Sequence, residues 1–324
     1  MPDLFLGVDA GGTKTHAAVM DASGRLLALG VASTGNWERV GIAGTVFALS
    51  SAIDEALTSC GHTRAEVTSA TFALAGIDWD SDVDAMQDVL SGFGLGCVPR
   101  VMNDALAVLY AGTDDGIGCA SVAGTGGKTV ARDRQTTLAT LGMSLGEGGG
   151  AGQIVAETLA VIAEAYHGQR APTGLTREAL ALAEVATESA FFEAVARDGQ
   201  QLPESFAPTV FALADAGDAA AVDVVVRVAQ QHARDVVGLL NQLDFQGHAV
   251  PLICAGGLHT AGSAVFSRAF ERGLAGSRWA VQIHVLDVVP VVGALVDAVV
   301  RATGRITPMQ RAALVGSEGV AISA

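Results

Sequence analysis

An apolar segment, Leu4–Asp9, runs straight into Gly11-Gly12-Thr13-Lys14-Thr15, and the arrangement returns where Gly118–Ala123 runs into Gly124-Thr125-Gly126-Gly127. Each is a strand closed by a glycine turn, and each opens a similar succession of elements. The first succession reads as strands Leu4–Asp9, Thr15–Met20 and Leu26–Ala32, a helix over about 44–60, a strand at 67–75, a helix at 81–92, a strand at 98–102 and a helix from Ala105. The second reads as strands Gly118–Ala123, Thr129–Arg132 and Thr137–Leu141, a helical region over about 150–243, a strand at 250–254, a helix at 263–274, a strand at 280–286 and a helix from about 290. An antiparallel hairpin sheet extended by parallel crossovers, met twice, predicts two similar α/β lobes around a cleft. No near-identical sequence repeat accompanies it, so the duplication rests on element order. The length, 324 residues at roughly 150 per domain, agrees.

Composition narrows the partners. Half of the chain is apolar and 16% is charged, which excludes disorder. The net charge of −15 argues against a nucleic-acid partner, because the summed field repels phosphate backbones. Cys60, Cys97, Cys119 and Cys254 lie far apart in apolar segments without a Cys-x-x-Cys pair and read as buried, reduced thiols. The N-terminus lacks a basic signal-peptide region, and the uncharged stretch Ala249–Ser267 is broken by Pro251, Gly256, Gly257 and Gly262. The expectation is a soluble, cytoplasmic protein with no membrane partner.

Two biases remain. Glycine occurs 40 times, above the usual ~7%, and lysine occurs only at Lys14 and Lys128. Asp9 at a strand end followed by Gly11 and Gly12 suits a phosphate with a divalent cation, since amides without a Cβ can approach the ligand; an ordinary hairpin turn with a surface aspartate fits equally well. Val122–Thr129 departs from the P-loop pattern, because Val122 stands where its first glycine belongs and a hairpin rather than a helix follows. Both lysines fall in these two loops, where a compact ammonium could meet a phosphate oxygen. Leu145–Gly152 (LGEGGGAG) precedes a helix and could present N-terminal amides, while Ala255-Gly256-Gly257 follows an apolar strand and leaves room for a flat ring. Either could be only a tight turn. Asn103-Asp104 closes a strand and begins a helix; it reads first as a cap, or, if the lobes face each other, places Asp104 where it could take a proton from a substrate hydroxyl. Asn36-Trp37-Glu38 joins an amide, an indole and a carboxylate, a mixture that suits a sugar or a half-buried turn. Zinc ligand spacings and a GxSxG elbow are missing from the sequence.

The ordered set Asp9–Thr15 (DAGGTKT), Asn103-Asp104-Ala105, Gly124-Thr125-Gly126, Gly146–Ala151, Ala255-Gly256-Gly257 and Pro290–Ala294 (PVVGA) resembles the actin/hexokinase/Hsp70 superfamily. More narrowly, the chain resembles the BadF/BadG/BcrA/BcrD ATPase family, whose sugar-kinase branch includes N-acetylglucosamine and glucosamine kinases, over about 4–305. The resemblance implies two ribonuclease-H-like lobes, 1–107 completed by a C-terminal helix over 290–312, and 108–289. It implies ATP and Mg²⁺ as cofactors and transfer to a hydroxyl, most simply the 6-hydroxyl, of an amino sugar. Carried over by position, Asp104 is the catalytic base and Asp9 the Mg²⁺-associated aspartate. Gly11, Gly12, Thr13 and Lys14, Gly124, Thr125, Gly126 and Lys128, and Gly256 and Gly257 surround the nucleotide. Asn36, Trp37, Gly76, Asp104, Gly126, Glu147 and Ala151 surround the sugar. A homodimer is also implied.

Departures fall on the sugar side. Gly127 and Lys128 stand where those kinases carry Gly-Ser and a small or amide residue, Glu147 replaces a shorter Asp, and Ala75 replaces the serine of an L-S-G segment, as in some glucosamine kinases. Two rival readings of the same resemblance are an ATPase activator that holds an iron–sulfur cluster with cysteines from each subunit, and a sugar sensor without catalysis.

Overall fold

The computed structural model describes residues 3–142, 145–317 and 319–321. The first lobe opens with β1 (Leu4–Ala10), β2 (Lys14–Asp21) and β3 (Leu26–Ser33), followed by α1 (Trp37–Ser59), β4 (Ser69–Leu74), α2 (Asp80–Ser91), β5 (Arg100–Asn103) and α3 (Asp104–Gly112). The second follows with β6 (Gly118–Ala123), β7 (Gly127–Arg132) and β8 (Thr137–Ala139). Helices α4 (Ala151–Tyr166), α5 (Gly174–Leu182), α6 (Glu188–Asp198), α7 (Ala207–Asp215) and α8 (Ala219–Leu240) come next. The chain ends with β9 (Val250–Ala255), α9 (Gly257–Thr260), α10 (Ala264–Gly273), β10 (Val281–Val285), α11 (Val291–Thr303) and α12 (Pro308–Val315).

The two sheets have matching topology. One runs β3-β2-β1-β4-β5 and the other, with the corresponding strands in the same relation, β8-β7-β6-β9-β10. In each, the first three strands form an antiparallel meander and the last two add in parallel to the first. The duplication expected from element order is therefore present in the hydrogen bonding. It has a functional consequence, since ligands of open α/β sheets sit outside the carboxyl ends of parallel strands. Those ends are of β1, β4 and β5 in one lobe, and of β6, β9 and β10 in the other.

Local chemistry sets the boundaries. Helix α1 starts at Trp37 rather than near 44 because the Asn36 side chain caps it, accepting from the Glu38 amide, and the chain then kinks at Gly41 (φ 66°) before continuing. It is the one helix among the described residues long and apolar enough to cross a membrane by length and composition. In the fold its Ala48, Leu49, Ala52, Ile53 and Ala56 are buried against β2 and β3. The helical region expected over 150–243 resolves into α4 to α8, and the C-terminal helix expected over 290–312 is two helices. Gly304, left-handed at φ 84°, caps α11, and Pro308 starts α12 at a position that needs no amide donor.

Helices α3 and α11 lie between the sheets. They pack on each other, α11 also on β1 and β4, α3 also on β6, β7 and β9. Buried residues of both helices join side chains from both sheets, among them Phe5, Ala73, Ala120 and Ile253, in one core. Separate cores fill the outer side of each sheet. Asp297, fully buried on α11, pins the helix to the first sheet by accepting from Arg100 and from Thr71 Oγ1 at 2.8 Å.

Candidate active site

Three parallel strands of the first lobe each deliver a carboxylate to the cleft: Asp9 near the end of β1, Asp78 just after β4, and Asp104 just after β5. Asn103 organises two of them. Its Oδ1 accepts from the Ala105 amide to start α3, and its Nδ2 donates to Ile77 O at 3.0 Å and Asp78 Oδ1 at 3.1 Å. Asn103 thus caps α3 as expected, and Asp104 follows it at the carboxyl end of β5. Burial raises Asp104 to about 6, with the Asp78 charge adding to it and Lys128 opposing. Asp9 is pushed up to about 8 by burial and by the Asp104 charge, with Lys14 opposing. Two desolvated carboxylates poised near neutrality mark a site that either holds a cation or moves a proton.

Opposite them, three glycine segments of the second lobe form one unit. The turn Gly124-Thr125-Gly126 between β6 and β7 closes on itself, Gly124 N donating to Gly126 O at 2.9 Å, and Gly124 O accepts from Ala151 N at 2.8 Å. Contact is so close that a Cβ on Gly150 would lie 2.0 Å from Gly124 O. Gly256, left-handed at φ 95°, leads into α9, and its Cβ would lie 2.5 Å from the Ala123 carbonyl. These two glycines are required by backbone packed on backbone. Gly124 and Gly126 face open space and are free to approach a ligand. In the first lobe, Gly11 N donates to Lys14 O across the β1–β2 turn, and Arg39 and Thr34 hold the carbonyls of Gly12 and Gly11. Thr13 lies in that turn and Lys14 is exposed at the start of β2.

Of the residues expected around a sugar, Asn36, Trp37 and Gly76 are brought together. Trp37 donates its indole N–H to Gly76 O at 2.7 Å, and Gly76 is left-handed (φ 80°) with Trp37 and Glu38 packed against it. Asn36 sits beside them as the α1 cap, its Oδ1 already engaged. Lys128 departs from expectation. It lies in β7 rather than in the turn, and its ammonium, read as a phosphate contact, is held by Asp78 Oδ1 at 2.8 Å with Glu147 Oε2 at 3.6 Å. Lys128 and Glu147 are 8% and 9% exposed.

Asp78 and the supports of the 146–149 loop escaped the sequence reading. Helix α8 holds that loop from below: Gln231 Nε2 donates to Gly146 O at 2.8 Å, Asp235 Oδ2 accepts from Gly148 N at 2.6 Å, and His232 Nε2 meets Gly149 O at 2.7 Å. Burial lowers His232, so it stays neutral and donates from Nε2. Asp78 had one available signal, its place two residues beyond Gly76 in the turn that follows β4. The α8 residues had none, since their partners lie more than 80 residues away.

A profile of the BadF/BadG/BcrA/BcrD ATPase family matches residues 6–298. The chain belongs to this family. Among solved structures, the BadF/BadG/BcrA/BcrD chain is similar to a protein assigned as an N-acetylglucosamine kinase from Chromobacterium violaceum (TM-score 0.67, 20% identity, 90% of this chain and 98% of that one). It is also similar to one so assigned from Porphyromonas gingivalis (0.60, 20%, 92% and 98%). A third is a ROK family glucokinase from Streptomyces griseus in complex with glucose and AMPPNP (0.56, 20%, 91% and 98%). No curated protein matches in sequence. At this identity the structures establish the fold: two mixed five-stranded sheets in the actin-like ATPase arrangement.

Proposed function

We propose that this member of the BadF/BadG/BcrA/BcrD family is an ATP-dependent sugar kinase that phosphorylates a hydroxyl, the 6-hydroxyl in the simplest case, of an amino sugar such as glucosamine or N-acetylglucosamine. The observation that carries the reading is Asp104, a desolvated carboxylate raised to about 6, at the end of β5 in the row of parallel strand ends that also carries Asp9 and, after β4, Gly76 and Asp78. A base with that value is largely ionised at neutral pH yet basic enough to accept a hydroxyl proton as the phosphoryl group arrives. The amides of Gly12, Thr13, Thr125 and Gly126 would stabilise charge on the transferring group, and closing the lobes would exclude water. The similarity of the fold to a glucokinase in complex with glucose and AMPPNP supports the same reading.

Asp9 fits Mg²⁺. Among the described residues no group of three or more His, Cys, Asp or Glu side chains is arranged to hold a metal. Mg²⁺ instead takes one or two carboxylates plus phosphate oxygens and water, and a buried Asp9 with Asp104 beside it is short of positive charge. When bound, the ion would neutralise charge on the β- and γ-phosphates. The activator reading finds no support in the cysteines. Cys119 and Cys254 are buried in β6 and β9, and Cys60 and Cys97 are half-buried in the first lobe, so neither pair is presented for a cluster shared between subunits.

The test is coupled ADP release over glucosamine, N-acetylglucosamine, N-acetylmuramic acid, N-acetylmannosamine, glucose and aminocyclitols. At least one sugar should stimulate release, and Asp104→Asn should lower kcat by about 100-fold or more, the scale of general-base catalysis, with nucleotide affinity nearly unchanged. Tight ATP binding without stimulation by any of them would favour the sensor.

A further inference from the structure

The Asp78–Lys128–Glu147 cluster lies beside the base and has more negative than positive charge. Counting Asp104, three carboxylates meet one ammonium. Lys128 is committed to Asp78 at 2.8 Å and reaches Glu147 only at 3.6 Å. Glu147 Oε2 is buried and has no hydrogen-bond partner. A buried carboxylate oxygen is costly to leave unpaired, and its position here is enforced. The backbone on both sides of Glu147 is clamped by Gln231, Asp235 and His232 of α8, and Gly149 N donates to Gln153 Oε1 at 2.7 Å. Asp78 is likewise held, by Asn103 and by its own amide on Asp82 Oδ2 at 3.0 Å. The backbone that carries each carboxylate is thus held in place.

We infer that this cluster is a subsite for a primary ammonium on the substrate, so that the enzyme prefers a free amino sugar or aminocyclitol to its N-acylated counterpart. The inference rests on the kinase reading above and specifies its substrate class. An ammonium supplies both what Glu147 Oε2 lacks, a charged donor at hydrogen-bond distance, and the second positive charge that Asp78 and Glu147 together call for. An acetamide offers one neutral N–H and brings an apolar methyl and a carbonyl oxygen toward two carboxylates. A hydroxyl offers a donor without the charge. Lys128 then holds Asp78 and Glu147 together when the subsite is empty, and shares them with the ammonium when it is filled.

The test compares kcat/KM for glucosamine, N-acetylglucosamine and glucose in the wild-type protein, Glu147→Gln and Asp78→Asn, with calorimetric binding of glucosamine in the presence of AMPPNP as a second readout. Wild type should favour glucosamine over both neutral sugars by about tenfold or more, and Glu147→Gln should reduce the glucosamine-to-glucose ratio by about 10–100-fold, as for loss of one partner of a desolvated charge pair. Asp78→Asn should reduce the same ratio, which guards against misfolding of either variant alone, and glucosamine binding should weaken in parallel. Preference for N-acetylglucosamine in the wild type, or a ratio unchanged in both folded variants, overturns the inference while leaving the kinase intact. Phosphorylation of no sugar overturns the kinase reading itself.

Discussion

Asp104 is kept at a cost to folding. Its folded-state value of about 6 lies above the ordinary 3.8, so ionisation opposes folding, an effect that develops as pH rises above about 4 and is complete above about 6. The sign gives two expectations. As the base of the proposed reaction, Asp104 would work ionised, so kcat/KM of the free enzyme should rise tenfold per pH unit up to about 6 and then level off. A pH–rate profile checks this, and an acidic limb near 4 would mean that the burial and the Asp78 charge do not act on the reacting group. Second, Asp104→Asn removes the desolvated charge and should raise the thermal midpoint of the ligand-free protein by about 1–3 °C while activity is lost, the exchange of stability for function expected of a catalytic group. Differential scanning calorimetry at pH 7.5 decides it, and the gain should vanish at pH 4.

Among elements, α11 shows why the first lobe does not end where its sequence does. The helix is apolar on nearly every face because it packs on β1 and β4 on one side and on α3 on the other. Its single acid, Asp297, would be prohibitive there without Arg100 and Thr71 as partners, and Ser69 and Arg301 add bonds between the helix and β4. Asp297→Ala removes the acceptor shared by Arg100 and Thr71 but leaves the guanidinium partly exposed and beside Tyr110, so it should destabilise the protein by about 1–3 kcal/mol, below the value for a fully buried broken pair. Urea unfolding measures it, and a change under 1 kcal/mol would show that solvent already reaches the pair.

The same element scale decides what could be read beforehand. Strand ends, glycine turns and the Asn103 cap depend on neighbours one to four residues away, so Asp9, Asp104 and the turns were legible. Asp297 reads as one more polar residue of an amphipathic helix until Arg100, 197 residues distant, is seen to face it. Lys128 was misread for a related reason. Strand β7 starts at Gly127, two residues before the Thr129 expected from the sequence, and pairing Val122 with Lys128 fixes the face from which its side chain leaves.

At the scale of the molecule, the lobes are joined in two places of different character. The α3–α11 crossing is a buried apolar core, whereas the cleft is spanned by the contact between Asp78 of one lobe and Lys128 of the other, 22% and 10% exposed in their side chains. A hinge backed by a core and closed by a partly solvated ion pair is suited to opening and closing around a ligand. If that pair contributes about 1–2 kcal/mol to the closed arrangement, Lys128→Met should shift the balance toward open forms by about 5–30-fold. Small-angle scattering of the ligand-free protein should then give a larger radius of gyration for Lys128→Met than for wild type, and raising the salt concentration should move wild type toward the variant, since partly exposed charges are screened. AMPPNP with glucosamine should bring wild type to its most compact form. Equal radii for the two proteins at low salt would locate closure in the nucleotide turns instead, and Lys128 would then act only on the carboxylates beside it.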